Sequence, residues 1–215
     1  PLFDRGLQGQ YPPGSTFKLV NGLIALQEKI IDDKTVISCN KGHYYSSKRF
    51  MKCHCEIGTI NNLSKAVYNS CNTYFANIYK RTIEKFPSHN NGINNWRSHV
   101  ESFGFGTYLG YDHPIGKAGL IPDSNYYDRW YPNGGWRAAT TISNGIGQGE
   151  ILTTPIQLAN LTAILANRGW YKTPHFVKKI SNDSINLKYK EKRYTSIDSI
   201  HFEKIIEGMF NVVEK

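Results

Sequence analysis

Apolar positions recur at helical spacing in several separate stretches of the chain. Tyr11-Pro12-Pro13-Gly14 stops regular structure, and after it Phe17, Leu19, Val20, Leu23, Ile24 and Leu26 form one stripe as far as Glu28. The spacing predicts a helix that begins at Ser15 or one residue later. A second helical segment is predicted from Leu63 to about Ile83, with Leu63, Val67, Cys71 and Tyr74 on one face and Ser70 inside it. Residues 32–62, between these two, show little periodicity and read as irregular. Phe86 to Asn95 reads as a surface loop, and Asn94 to Phe103 as a short helix ended by Gly104. The Gly-, Pro-, Tyr- and Trp-dense residues 104–137 read as long loops lining a groove. A third long helix is expected from Pro155 to Asn167, capped by Thr154, with Pro155 in its first position and Gly169 ending it. Val177 to Ile180 reads as a short strand, Ser181 to Ser196 as a polar, Lys-rich excursion, and Ile200 to Val213 as a final amphipathic helix. There is no internal repeat.

Composition narrows the class. With 215 residues and 40% hydrophobic side chains, the chain suffices for one domain with a core or for a large piece of a bigger one. Its opening on Pro-Leu-Phe-Asp and its last residues, Glu214-Lys215, favour the piece. No stretch reaches the roughly eighteen apolar residues of a membrane-spanning helix, and even Leu158 to Ala166 is interrupted by Asn160. A net charge of +9 suits an acidic partner such as nucleic acid, an anionic membrane surface or an anionic cell-wall polymer, and equally a solvated basic surface with no such partner. Nucleic acid is disfavoured, because zinc-finger spacing, an RNA-binding aromatic signature and heptads after a basic run are all missing.

Candidate chemistry enters with Ser15 and Lys18. Residues three apart on a helix share a face, so a hydroxyl and an amine fall one turn apart at a helix start. An amine whose pKa is lowered by burial can take the proton of a serine that is otherwise too weak a nucleophile. The free N–H groups of the helix N-terminus favour negative charge developing there. The pattern is weak alone: Ser38 and Lys41 repeat it in a turn-rich region where no helix would align them. Ser70-Cys71-Asn72 follows fifty-five residues after Ser15. Ser184-Ile185-Asn186 has the same form but sits at another distance in the polar excursion.

The run Tyr11-Pro12-Pro13-Gly14-Ser15-Thr16-Phe17-Lys18 closely resembles the active-site entry of penicillin-binding transpeptidases, and Ser70-Cys71-Asn72 resembles their Ser-x-Asn motif at the usual distance. Gly145-Ile146-Gly147-Gln148-Gly149 and Thr153-Thr154-Pro155-Ile156-Gln157-Leu158-Ala159 are similar to the Gly-Gln-Gly and Thr-Pro-x-Gln-x-Ala run of high-molecular-weight class B members, the penicillin-binding protein 2 group. The resemblance implies that Ser15 attacks the D-Ala–D-Ala bond of a peptidoglycan stem peptide, with Lys18 as general base. Ser70 would relay a proton toward the leaving amine, and Asn72 would bond the substrate amide and Lys18. Beta-lactam antibiotics would acylate Ser15. A membrane glycosyltransferase of the elongation machinery would be a partner, and the catalytic domain would lie on the periplasmic side of a bacterial inner membrane, anchored outside these residues.

The family's Lys-Thr/Ser-Gly motif does not occur here. In relatives it follows shortly after the last helix, so the expected architecture is mainly α. It would be the helical lobe of the α/β transpeptidase and beta-lactamase-like fold, with the central sheet largely missing and the chain by itself open to being inactive. A serine beta-lactamase, a beta-lactam sensor and a scaffold stand as alternatives.

Cys39, Cys53, Cys55 and Cys71 cluster in sequence with His43 and His54. Disulfides or buried thiols are one reading. Cys53-His54-Cys55 argues for a metal, since alternate residues rarely pair with each other yet can both face an ion, and tetrahedral zinc fits the count. Penicillin-binding protein 2 relatives resemble this region and can hold zinc beside the active site. The expected ligands are Cys39, Cys53 and Cys71, with His54 or Cys55 completing the shell.

Overall fold

The computed structural model describes residues 3–32, 34–47, 49–181 and 185–215. Among the described residues seven α-helices surround a core rich in aromatic rings, with short two-stranded sheets at the margins. A 3-10 turn, Gly14–Thr16, leads into α1 (Phe17–Gln27), so regular α geometry starts two residues after Ser15. Phe17, Val20, Leu23, Ile24 and Ala25 of α1 are almost fully buried, which makes it the central helix.

Residues 32–62 are more regular than expected. β1 (Ile37–Cys39) pairs antiparallel with β4 (Thr59–Asn61), and between them β2 (Gly42–Ser46) forms a hairpin with β3 (Arg49–Lys52). Strands of three to five residues have no room to show a period, and their register is tied to the buried Cys39, which pairs with Thr59.

The segment expected as one helix from Leu63 to Ile83 is two: α2 (Leu63–Tyr68) and α3 (Asn72–Glu84). Ser70 lies in the break with φ +46°, a left-handed conformation that a helix cannot contain, and the Cys71 sulfur accepts the Tyr74 N–H at 3.4 Å to start α3. Further on, α4 (His89–Ser102) starts five residues before its expected beginning, because Ser88 Oγ accepts the Asn91 N–H and buries Ile93 and Trp96 on the inner face. Gly92 allows this approach, since a Cβ there would lie 2.1 Å from the Ile83 carbonyl oxygen. The loop-rich region holds α5 (Ser124–Trp130), whose start Asp123 caps through the Tyr126 N–H.

α6 (Pro155–Ala166) follows Thr154 as expected. Gln157 is its anchor: Oε1 accepts the Thr154 N–H, and Nε2 donates to the carbonyls of Gly104, Thr107 and Ala118, pinning the long loop to the helix start. Val177 to Ile180 is not a strand. The strand instead comes earlier, as β5 (Trp170–Lys172), which pairs with β6 (Lys192–Tyr194) from the excursion that read as merely polar. Ser184 lies outside the described residues. α7 (Phe202–Glu214) closes on α2, where a Cβ at Gly208 would sit 2.6 Å from Val67 Cβ.

Candidate active site

Ser15 is exposed on its turn, whereas Lys18, one turn along, is only 2% exposed. The Lys18 ammonium has three hydrogens and three acceptors: the Ser70 carbonyl oxygen at 2.7 Å, Ser70 Oγ at 2.9 Å and Asn72 Oδ1 at 2.6 Å. Ser70 Oγ in turn lies 3.0 Å from Ser15 Oγ. Serine and lysine are therefore joined through Ser70, and among the described residues there is no direct hydrogen bond between them. The break between α2 and α3 makes this possible, because the left-handed Ser70 turns both its hydroxyl and its carbonyl toward Lys18.

Burial pulls the Lys18 pKa down from about 10.5 to about 8, and the electrostatic effect of the nearby Cys53, Cys71 and Cys55 sulfurs offsets part of it. The amine is thus poised to lose its proton near neutral pH. Asn72 spends its other amide group on the Lys52 carbonyl at 2.9 Å, so the end of β3 is tied to the cluster.

The Gly-Gln-Gly run forms the opposite wall. Gly147 has φ +70°, its carbonyl accepts the Gly14 N–H at 2.8 Å, and a Cβ there would meet the Gly14 carbonyl oxygen at 2.1 Å. The 3-10 turn Ile142–Ile146 just before it is held by Asn21, whose Nδ2 donates to the Asn144 and Gly145 carbonyls at 3.0 and 3.1 Å while Oδ1 accepts from Trp96 Nε1 at 2.8 Å. Asn21 did not stand out in the sequence. Its one signal is a polar residue in a stripe of apolar ones, three positions after Lys18.

All four cysteines are buried thiols, and their sulfurs lie within 4.8 Å of one another. Cys53 Sγ is 3.5 Å from Cys55 Sγ and 3.8 Å from Cys71 Sγ, and Cys39 Sγ contacts Thr73 Oγ1 at 3.1 Å. His54 does not join them: its ring is exposed and Nε2 sits 2.6 Å from the Asn69 carbonyl oxygen, where it buttresses the Ser70 turn from outside. Burial raises the Cys53 thiol, but N–H groups of Cys55 and Thr73 outweigh it and bring the pKa to about 6. Burial, with Cys53 beside it, pushes Cys55 up to about 11, and burial raises Cys71 further. Four sulfurs crowded in this way suit a cation.

A sequence model of the penicillin binding protein transpeptidase domain matches residues 1–215. The chain belongs to this family. Peptidoglycan D,D-transpeptidase MrdA of Acinetobacter baumannii is 35% identical over 181 residues, which are 83% of this chain and 25% of that protein. The chain therefore spans about a quarter of that relative's length. The crystal structure of Pseudomonas aeruginosa PBP2 in complex with WCK 5153 aligns with all of this chain and 47% of its own, with a TM-score of 0.84 at 28% identity. A structure on the coordination of polymerization and crosslinking by a peptidoglycan synthase complex aligns with all of this chain and 34% of its own, with a TM-score of 0.81 at 25% identity. The fold is that of the transpeptidase family, and its central sheet is only partial within this chain.

Proposed function

We propose that this chain is the helical lobe of a peptidoglycan D,D-transpeptidase in which Ser15 is the nucleophile. The observation that carries the reading is the connected path Ser15 Oγ, Ser70 Oγ, Lys18 Nζ. Neutral Lys18 keeps two N–H groups and one lone pair. The Ser70 carbonyl and Asn72 Oδ1 can only accept, so the lone pair must face Ser70 Oγ. Deprotonation of Lys18 thus reverses one hydrogen bond: Ser70 then donates to Lys18 and can accept the proton of Ser15.

In the first half-reaction a Ser15 Oγ–C bond forms at the D-Ala carbonyl, and the Ser15 proton passes to Ser70 Oγ as the Ser70 proton passes to Lys18. The same path run backwards protonates the leaving amine as the C–N bond breaks and D-Ala departs. An acceptor-strand amine then attacks the ester and forms the new C–N bond, and its proton passes through Ser70 back to Ser15 Oγ as the ester C–O bond breaks. The Ser15 backbone N–H supplies one half of the oxyanion hole, and a strand carrying Lys-Thr/Ser-Gly in the remainder of the protein supplies the other. Asn72 has a second Nδ2–H beyond the one it gives the Lys52 carbonyl, and with it would hold a peptide carbonyl of the substrate at the rim.

Zinc fits the thiol cluster. The edge of a tetrahedron of sulfurs at about 2.3 Å from zinc is ~3.8 Å, close to the two Cys53 distances. Cys39, Cys53, Cys55 and Cys71 would hold it, and its role would be positional, because Cys71 is the link between Ser70 and Asn72. His54 lies outside this set.

The likeness to a peptidoglycan synthase complex that coordinates polymerization and crosslinking supports a glycosyltransferase partner, and a peptidoglycan substrate would put the site of action on the periplasmic face of the inner membrane. Among the described residues no helix is long and apolar enough to cross a membrane, so the anchor would lie elsewhere in the protein. Fluorescent penicillin tests the reading on the full-length protein: a long-lived adduct on Ser15, absent from Ser15→Ala, is expected. Rapid turnover of the adduct would point to a beta-lactamase, and no adduct at all would remove the assignment.

A further inference from the structure

A cleft of about 280 Å³ lies between the β2–β3 hairpin and residues 131–140. Tyr45, Ser46 and Arg49 line one side, and Tyr131 and Thr140 line the other. Both walls lead to the reacting groups. β3 ends at Lys52, whose carbonyl holds Asn72, and Thr140 runs into the 3-10 turn before Gly147, which presses on the turn of Ser15. Arg49 is three strand residues from Lys52, roughly 10 Å.

The lining is one-sided in its chemistry. It contains no Asp or Glu. Among the described residues the Arg49 guanidinium has no hydrogen-bond or ion-pair partner, and the Tyr45 and Tyr131 hydroxyls have none either. Thr140 Oγ1 accepts the Arg137 N–H at 3.1 Å, which leaves its own hydroxyl proton for another acceptor. A cleft that offers donors from both walls, one of them a guanidinium fork, is built for a carboxylate. A larger cleft of about 740 Å³ lies at the far end of α1, where Asp32 stands among Lys29, Lys34 and Lys204, and none of the reacting groups lines it.

We propose that this cleft is a substrate subsite in which Arg49 binds a free carboxylate of the donor stem peptide, about two residues before the bond that Ser15 attacks. Two extended residues span ~7 Å and a side chain adds a few more, which matches the roughly 10 Å between Arg49 and the Asn72 region. Arg49 is a specificity residue here and takes no part in proton transfer. The proposal rests on the transpeptidase reading, and the test separates the two.

The experiment uses the full-length protein and two donor peptides that differ only in the residue two before the attacked bond, whose side chain ends in a carboxylate in one and a carboxamide in the other. Wild type should prefer the carboxylate peptide by about tenfold or more, through KM. Arg49→Gln should abolish that preference with kcat nearly unchanged, Arg49→Lys should keep part of it, and penicillin labelling of Ser15 should be equal in all three. A preference that survives in Arg49→Gln, or an equal loss on both peptides, overturns the subsite while labelling stays intact. Failure of wild type to be labelled by penicillin would instead sink the transpeptidase reading and the subsite with it.

Discussion

Lys18 Nζ touches the same residue twice, at the Ser70 hydroxyl and at the Ser70 backbone carbonyl, so the base and its relay are locked together by a single left-handed turn. The amine cannot move away from Ser70 Oγ without also giving up an acceptor it needs while charged. Ser15 is exposed, and among the described residues its hydroxyl bonds to Ser70 alone, so it is the freer partner.

Removing members of this path should have unequal effects. Lys18→Met should lower the rate of Ser15 acylation by about 10²–10⁴-fold in the full-length protein, because both the proton acceptor and the organiser of Ser70 are lost. Ser70→Ala should also slow acylation, while Asn72 Oδ1 and the residue 70 carbonyl still bond Lys18, so the thermal midpoint should fall less than in Lys18→Met. Equal acylation rates in Ser70→Ala and wild type, read by stopped-flow penicillin binding, would rule out the relay.

The Lys18 pKa of about 8 gives the pH dependence a sign. Only the neutral amine can accept a proton, so acylation should rise with pH and level off above about 8, with roughly a tenth of the limiting rate at pH 7. Stability follows the same group. Its pKa is lower in the folded state than in the unfolded chain, so the cost of burying its charge is fully present below about 8 and disappears as pH rises toward 10.5. Acylation rates that stay flat from pH 6 to 9 would show that Lys18 is not the titrating base.

Asn21 supports the site from behind. Asn21→Ala would strip the Trp96 indole N–H and the Gly145 carbonyl of their partner inside the core and leave the Asn144 carbonyl with only the Gly147 N–H, a loss of about 2–4 kcal/mol. The wall that carries Gly147 should loosen with it, and near-ultraviolet circular dichroism of the buried Trp96 should change. A thermal midpoint within a degree of wild type would mean that the Trp96 N–H and the Gly145 carbonyl find other partners.

The parts of the fold that were legible in the sequence are those whose signals are local. Thr154-Pro155 marks the start of α6 and Gly169 lies just beyond its end, and the stripe from Phe17 to Leu26 is the buried face of α1. The break at Ser70 was hidden because Leu63, Val67, Cys71 and Tyr74 keep helical phase across it, while the turn itself is held by Lys18, a residue 52 positions away. The early start of α4 was hidden in the same way, since its His- and Asn-rich first turns are weak helix formers stabilised by the Ser88 cap and by Gly92 against Ile83. The motifs named the residues of the candidate site, but they could not show that Ser70 stands between Ser15 and Lys18, because that order is set by a backbone conformation.

The cysteine cluster can be resolved ligand by ligand. If zinc is bound, elemental analysis should find close to one ion per chain in wild type and in His54→Ala, since the His54 ring is engaged with the Asn69 carbonyl and its loss leaves all four sulfurs in place. Cys53→Ser should lose the ion, because Cys53 Sγ contacts both Cys55 and Cys71 and a hydroxyl is a poor replacement for a thiolate. A strong chelator should lower the thermal midpoint of wild type and slow acylation together, as the Cys71 link between Ser70 and Asn72 slackens, and readdition of zinc should restore both. Zinc retained in Cys53→Ser but lost in His54→Ala would replace the four-sulfur site with one built on the histidine, and disulfides with no metal in wild type would remove the site altogether.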